Sequence, residues 1–266
     1  MFVTIINDCR DENAMARQAT RAASLFKTNI TTVGIESFKD LEGAGNIIDI
    51  MDAAYGAEGI IMCNIAPRHG RGKKWPNGTP FGYFRHKQTL VVSTIDGYTL
   101  SLAKKFGLIE TAYVTDLPTV IDQMIEIGQF NAEFRDLVVK SQFRSFDYMP
   151  RLAKWLYEGI HVKADILPLD QIEDAPLAVW WVDNFGNCKT TILPEEIDFK
   201  PGKKVKTTVG QLYCYARLKD VPNDEPALII GSSGFGQKRF LEVVIQGKSA
   251  AERFGLSSGS VLIEQS

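Results

Sequence analysis

Histidine and cysteine are scarce, three and four in 266 residues. Cys9, Cys63, Cys188 and Cys214 form no Cys-x-x-Cys pair, and His69, His86 and His161 stand apart from other ligand types. That spacing argues against a zinc site, and so few cysteines in so long a chain argue against a disulfide framework. Charge of one sign is also lacking. Lys and Arg number 30 and Asp and Glu 32, for a net charge of −2. A nucleic-acid binder normally shows a basic excess or stripe, and the longest basic run is the short Gly70-Arg71-Gly72-Lys73-Lys74. No apolar run approaches membrane-spanning length. The first residues pass directly into Phe2-Val3-Thr4-Ile5-Ile6 without the basic and apolar regions of a signal peptide. These absences predict a protein with no metal, no nucleic-acid partner and no membrane partner, and the expected location is the cytoplasm.

What remains is an ordinary globular balance, 45% hydrophobic and 23% charged, with length enough for two modest domains. The first half alternates short β-branched runs with helical spacing. Strands are expected at 2–7, 31–35, 59–64 and 89–93, and helices at 12–26, 41–54 and 99–106. Such alternation implies an α/β domain, over residues 1–165, built on a mostly parallel sheet. From Leu177 the texture changes to short strands at 177–183, 188–192, 205–209, 211–218, 227–230 and 240–246, separated by turn signals. That pattern predicts a smaller antiparallel β-barrel or sandwich domain over residues 176–266, with 161–176 as linker.

Four segments carry candidate chemistry. Asp8 follows the first strand, where open α/β sheets bind ligands, and its carboxylate suits a ribose diol. Asp8 and Asp11 compete for the cap of the first helix, a role Asp favours. The loop Asn64-Ile65-Ala66-Pro67-Arg68-His69-Gly70-Arg71-Gly72 follows a buried strand and reads as an anion or polarised-water site, or as a solvated basic loop. Asp183-Asn184-Phe185-Gly186-Asn187 offers an aromatic face beside an amide, suited to a purine, or a plain hairpin turn. Gly231-Ser232-Ser233-Gly234 offers hydroxyls and backbone N–H groups to a carboxylate. It lacks the lysine and following helix of a P-loop.

The order of these segments resembles the family of S-adenosylmethionine (SAM) hydroxide adenosyltransferases, fluorinases and chlorinases, over nearly the whole chain. The strongest pieces are Val182-Asp183-Asn184-Phe185-Gly186-Asn187-Cys188-Lys189-Thr190-Thr191-Ile192 and a tail running from Ile230-Gly231-Ser232-Ser233-Gly234 through Leu241-Glu242-Val243 to Gly247-Lys248-Ser249-Ala250-Ala251-Glu252-Arg253-Phe254-Gly255-Leu256. Asn7-Asp8-Cys9-Arg10-Asp11, Ser93-Thr94-Ile95-Asp96-Gly97 and Ser141-Gln142-Phe143-Arg144-Ser145-Phe146-Asp147 resemble the opening and central motifs.

The resemblance implies an α/β domain plus a β-barrel domain, usually assembled as a homotrimer with sites between subunits. It implies SAM or adenosine as ligand, bound as substrate with no separate cofactor. Asp8 would grip the ribose, and Asp11, Asn13 and Asp183 would surround the methionine amino group. Phe185 would pack on adenine and Asn187 would bond it. Backbone at Gly247 would read the adenine edge, Ser232 would hold the methionine carboxylate, and Phe143 and Ser233 complete the substrate set. The implied chemistry is in-line displacement of methionine at C5′, by water or by a halide.

At the nucleophile the pattern departs from hydroxide-transferring members. Their Asp, Arg and His become Asn64, Arg71 and Arg144, and Ser145 stands where fluorinases carry serine. An amide is not a base, and a guanidinium stays protonated. Turnover by Arg71, Ser145, Asn64 and Arg144, halide transfer, and ligand binding without turnover all remain open at this point.

Overall fold

The computed structural model describes residues 1–66, 75 and 78–264. The first sheet is built from β1 (Phe2–Asn7), β2 (Thr31–Gly34), β3 (Gly59–Asn64), β4 (Phe81–His86), β5 (Thr89–Thr94), β6 (Ala112–Val114) and β7 (Asp165–Leu167). Its strand order is β2-β1-β3-β5-β4-β6-β7. Helix α1 (Glu12–Phe26) joins β1 to β2, and α2 (Asp40–Ala54) joins β2 to β3. Ala22 and Phe26 of α1 pack on one face with Val3 and Ile5, while Ala44, Ile47 and Ile48 of α2 pack on the other with Ile6 and Ile61. The chain thus turns back at β1, so that the ends of β1 and β3 lie at the reversal point of the strand order.

The sheet is mixed rather than mostly parallel. β1, β2, β3 and β5 pair in parallel, whereas β4, β6 and β7 add antiparallel pairs. β4 escapes sequence reading because its hairpin to β5 turns on Lys87 and Gln88, with Lys87 at φ 53. Two-residue hairpins usually advertise themselves with Asn-Gly or Asp-Gly. β7 lies in the stretch expected to be linker and pairs with β6.

Short helices α3 (Ser101–Lys105), α4 (Leu117–Glu126), α5 (Arg135–Val139) and α6 (Arg144–Asp147) follow, then α7 (Met149–Tyr157). Leu152, Ala153 and Trp155 of α7 join the α1 face.

The second sheet contains β8 (Val179–Val182), β9 (Cys188–Thr190), β10 (Lys204–Thr207), β11 (Gly210–Tyr215), β12 (Pro226–Phe235) and β13 (Lys238–Ile245), with α8 (Ala250–Phe254) behind them. Its order is β10-β11-β12-β13-β9-β8. The strands pair as a six-stranded sheet in which, among the described residues, β10 and β8 do not pair directly; residues 260–262 run between them, with the Thr208 N–H donating to the Leu262 carbonyl and the Leu262 N–H to the Leu177 carbonyl. The sheet is not wholly antiparallel. β11 and β12 run parallel because the connection over 216–225, with a 3-10 turn at Leu218–Asp220, carries the chain back before β12 begins.

The two sheets meet across α2. Gly45 lies so close to Trp180 that a Cβ there would come within 2.1 Å of the indole. Asp49 accepts hydrogen bonds from the Ser233 hydroxyl and the Gly234 N–H, and Asp52 pairs with Arg239 at 2.7 Å. One face of α2 therefore packs in the first core and its neighbouring face holds the second sheet.

Candidate functional site

The reversal point gathers the polar residues of β1 and β3. Asn7 and Asn64 are register partners. The Asn64 amide donates to Asn7 Oδ1 at 3.0 Å, and Asn7 also takes the Cys9 N–H at 3.2 Å and donates to the Cys9 carbonyl at 3.0 Å. Asp8 is 5% exposed. Its Oδ2 accepts the backbone N–H of Phe38 at 3.2 Å and of Ala66 at 2.9 Å. The contest for the helix cap is settled: Asp11 caps α1, accepting the Ala14 N–H at 2.9 Å. Asp8 instead fastens the loop after β2 to the loop after β3. Open α/β sheets bind their ligands beyond the strand ends at such a reversal.

Phe38 belongs to this cluster although nothing in the sequence singles it out. It holds φ at 67, a left-handed conformation that costs a non-glycine residue about 1–2 kcal/mol. The Asp8 carboxylate holds its N–H. Cys63, just before Asn64, is fully buried; burial pushes its thiol up, and the Asp8 charge adds to the push. It is therefore no nucleophile.

Beside this cluster a cleft of about 370 Å³ opens between the two sheets. Arg10, Gly34, Glu36 and Glu42 line it from the first domain, and Trp181, Val182 and Ser258 from the second. Burial raises the Glu42 carboxyl, offset in part by the Glu36 N–H at 3.3 Å. Lys39 crosses the cleft to the Ser258 carbonyl at 2.6 Å.

On the second domain, Asp183 organises the β8–β9 turn. Its carboxylate accepts the N–H groups of Phe185 at 2.9 Å and Asn187 at 3.0 Å, and also the Asn187 side-chain amide at 3.0 Å. Gly186 sits at φ 80, and a Cβ there would lie 2.1 Å from Ser249 Oγ. That contact seats the turn against the cap of α8, because Gly186 also accepts the Ala251 N–H at 2.9 Å. Phe185 is 72% exposed. Gly247 is exposed at φ 82, beside a cleft of about 750 Å³ lined in part by Ile245, Ser249 and Phe254.

The remaining expected site residues are scattered. Asn13 is exposed on the first turn of α1. Ser232 is exposed and its N–H bonds Glu242 at 3.2 Å. The Ser233 hydroxyl donates to Asp49 at the joint between the sheets. Phe143 stacks on Phe146 at 5.6 Å, with Arg17 5.0 Å above it, and so packs α6 on α1. Ser145 is 4% exposed on α6. Arg144 donates to the Thr79 carbonyl at 2.9 Å. Arg71 lies outside the described residues, as do Arg68 and His69. No group of three metal-ligating side chains occurs among the described residues.

Comparison with known proteins bears on both halves. Across its whole length the chain has the fold of an uncharacterized conserved protein from Thermotoga maritima, with TM-score 0.65, 14% identity, and 97% of this chain and 98% of that one covered. It also resembles a conserved hypothetical protein from Thermus thermophilus, with TM-score 0.57, 18% identity, and 98% and 99% covered. No curated protein sequence matches the chain. The sequence profile of the SAM hydroxide adenosyltransferase C-terminal domain matches residues 177–263, the segment that holds Asp183, Asn187 and Gly247. Residues 177–263, the second domain of this chain, are thus similar to the SAM hydroxide adenosyltransferase C-terminal domain.

Proposed function

We propose that the chain uses SAM as substrate and displaces methionine from C5′ of the ribose with water or another small nucleophile. The observation that carries this reading is the profile match over residues 177–263. Support comes from the polar cluster at the reversal point of the first sheet, where Asp8 is buried at the place such sheets bind ligands. With water, oxygen bonds to C5′ while the carbon–sulfur bond breaks. The electron pair goes to sulfur, giving methionine, and the water proton goes to solvent, leaving adenosine. The positive sulfur makes methionine a good leaving group, so no acid is needed. The protein's task is to place the nucleophile behind C5′ and strip its water.

In this reading Asp8 takes the ribose while its Oδ2 keeps the two loops in place. Asn64 and Ser145 flank the nucleophile. Phe185, Asn187 and Gly247 take the adenine, with Asp183 and Ser232 toward the methionine end. Phe185, Ser232 and Gly247 are all exposed on the single chain, which supports a ligand shared with a neighbouring copy in a homotrimer. No helix among the described residues is long and apolar enough to cross a membrane.

One observation favours a second reading, binding without turnover. The Asn64 amide is tied to Asn7 and Arg144 to Thr79, and neither side chain is a base. Incubation with SAM, with and without chloride, followed by chromatography separates the two. Adenosine or a 5′-halide supports turnover. Unchanged SAM with measurable adenosine affinity supports binding alone.

A further inference from the structure

A second cavity, of about 250 Å³, lies along the same edge of the first sheet. Its walls include Phe81 at the start of β4, Val114 at the end of β6, Leu117 of α4 and Arg144 of α6. β4 and β6 stand three and four strands from β1. At ~4.8 Å per strand that sets the cavity roughly 14–19 Å from Asp8. The volume lies at the small end for ligand pockets, too small for a nucleoside with its methionine.

Arg144 gives the cavity its chemistry. Its guanidinium is half-buried and lies 5.9 Å over the Phe81 ring. Among the described residues its one hydrogen bond is to the Thr79 carbonyl, and no carboxylate lies within ion-pair distance. Gly78, at φ 70, leaves it room, since a Cβ there would lie 2.4 Å from Nη2. A guanidinium drawn from water without a carboxylate is a ready anchor for one, through its planar fork of donors. Two carboxylates share the lining, Asp116 and Asp165. Asp116 spends Oδ2 on the Thr119 N–H and hydroxyl as the cap of α4, at 3.1 and 2.6 Å. Asp165 is exposed. Phe81 and Leu117 supply buried apolar wall.

A simple anion here would meet two like charges, and a simple amine would leave Arg144 unpaired. A zwitterion satisfies both. We propose that this cavity binds a free α-amino acid with an apolar side chain. Arg144 takes its carboxylate, Asp116 and Asp165 its ammonium, and Phe81, Val114 and Leu117 its side chain. The inference uses none of the reversal-point residues, but it takes Arg144 out of the expected nucleophile set and gives it to this cavity, leaving Ser145 beside it on α6 to the proposed SAM reaction.

The test is calorimetry with L-methionine, with 4-(methylthio)butanoate, which lacks the amino group, and with 3-(methylthio)propylamine, which lacks the carboxylate. Binding of L-methionine at least roughly tenfold tighter than either fragment is expected. Arg144→Gln and Asp165→Asn should each weaken L-methionine at least roughly tenfold, and Asp165→Asn should leave adenosine affinity unchanged. Gly78→Ala, which displaces Arg144 without removing it, should weaken it too. A crystal soaked with L-selenomethionine should show its selenium between Leu117 and Arg144. No heat with L-methionine, affinity undiminished in both Arg144→Gln and Asp165→Asn, or selenium found only elsewhere would each overturn the proposal.

Discussion

Replacing Asp8 by alanine removes the acceptor of two backbone N–H groups from two different loops, at Phe38 and Ala66. Hydrogen bonds to a charged group contribute about 1.5–3 kcal/mol each. Both donors belong to half-buried residues, so released N–H groups regain some water and the low end applies. The expected loss is therefore about 3 kcal/mol for Asp8→Ala. Asp8→Asn keeps an amide oxygen as acceptor without the charge, and about half that loss is expected. The assay is urea denaturation, read as a shift in midpoint at constant slope. Adenosine affinity is measured on the folded variants in parallel. If the carboxylate also grips the ribose, Asp8→Ala should bind adenosine roughly tenfold to a hundredfold more weakly. A stability loss under about 0.5 kcal/mol would refute the loop-fastening account, being within the range of ordinary surface changes. A large loss with unchanged adenosine affinity would keep the fastening and remove Asp8 from the ligand.

Gly186→Ala should destabilise by about 2–4 kcal/mol, combining left-handed strain with a clash against the backbone of Ser249; a midpoint unchanged in urea would contradict it. Gly45→Ala should cost about 1–3 kcal/mol and alter the near-ultraviolet circular dichroism of Trp180, whose ring fills the space a Cβ would need. Burial raises the Asp49 carboxyl above its ordinary value, against the opposing hydrogen bonds of Ser233 and Gly234. A folded-state pKa raised in this way contributes stability that is fully present below the ordinary carboxylate value and lost as pH rises through the raised one. Asp49→Asn should therefore compare more favourably with the parent at pH 7 than at pH 3.5, and a difference independent of pH would contradict the raised value.

Several elements were legible because their signal is local. Helix α1 was readable to its ends, since apolar spacing and the Asp11 cap both lie in the sequence. The strands β1 and β3 stood out as short β-branched runs, and Asp8 stood out because it follows β1 directly. β4 was missed because its turn residues, Lys87 and Gln88, are unusual for a hairpin. The parallel pairing of β11 with β12 depends on the path of a connection, which periodicity does not record. At the site, the sequence showed Ser233 as a free hydroxyl in a Gly/Ser turn. It could not show Asp49, far back in the chain, arriving to accept its hydrogen bond. Phe38 was invisible for the same reason, because its role rests on a backbone angle and on the Asp8 carboxylate.

Chromatography of purified protein incubated with SAM tests the central claim most directly. The account predicts that SAM is consumed with equal release of methionine and adenosine, or of a 5′-halide when chloride is the nucleophile. In water enriched in ¹⁸O the adenosine formed should carry the label at its 5′-hydroxyl, because the displacement is at C5′. Intact SAM after prolonged incubation, or adenosine without the label, would contradict it.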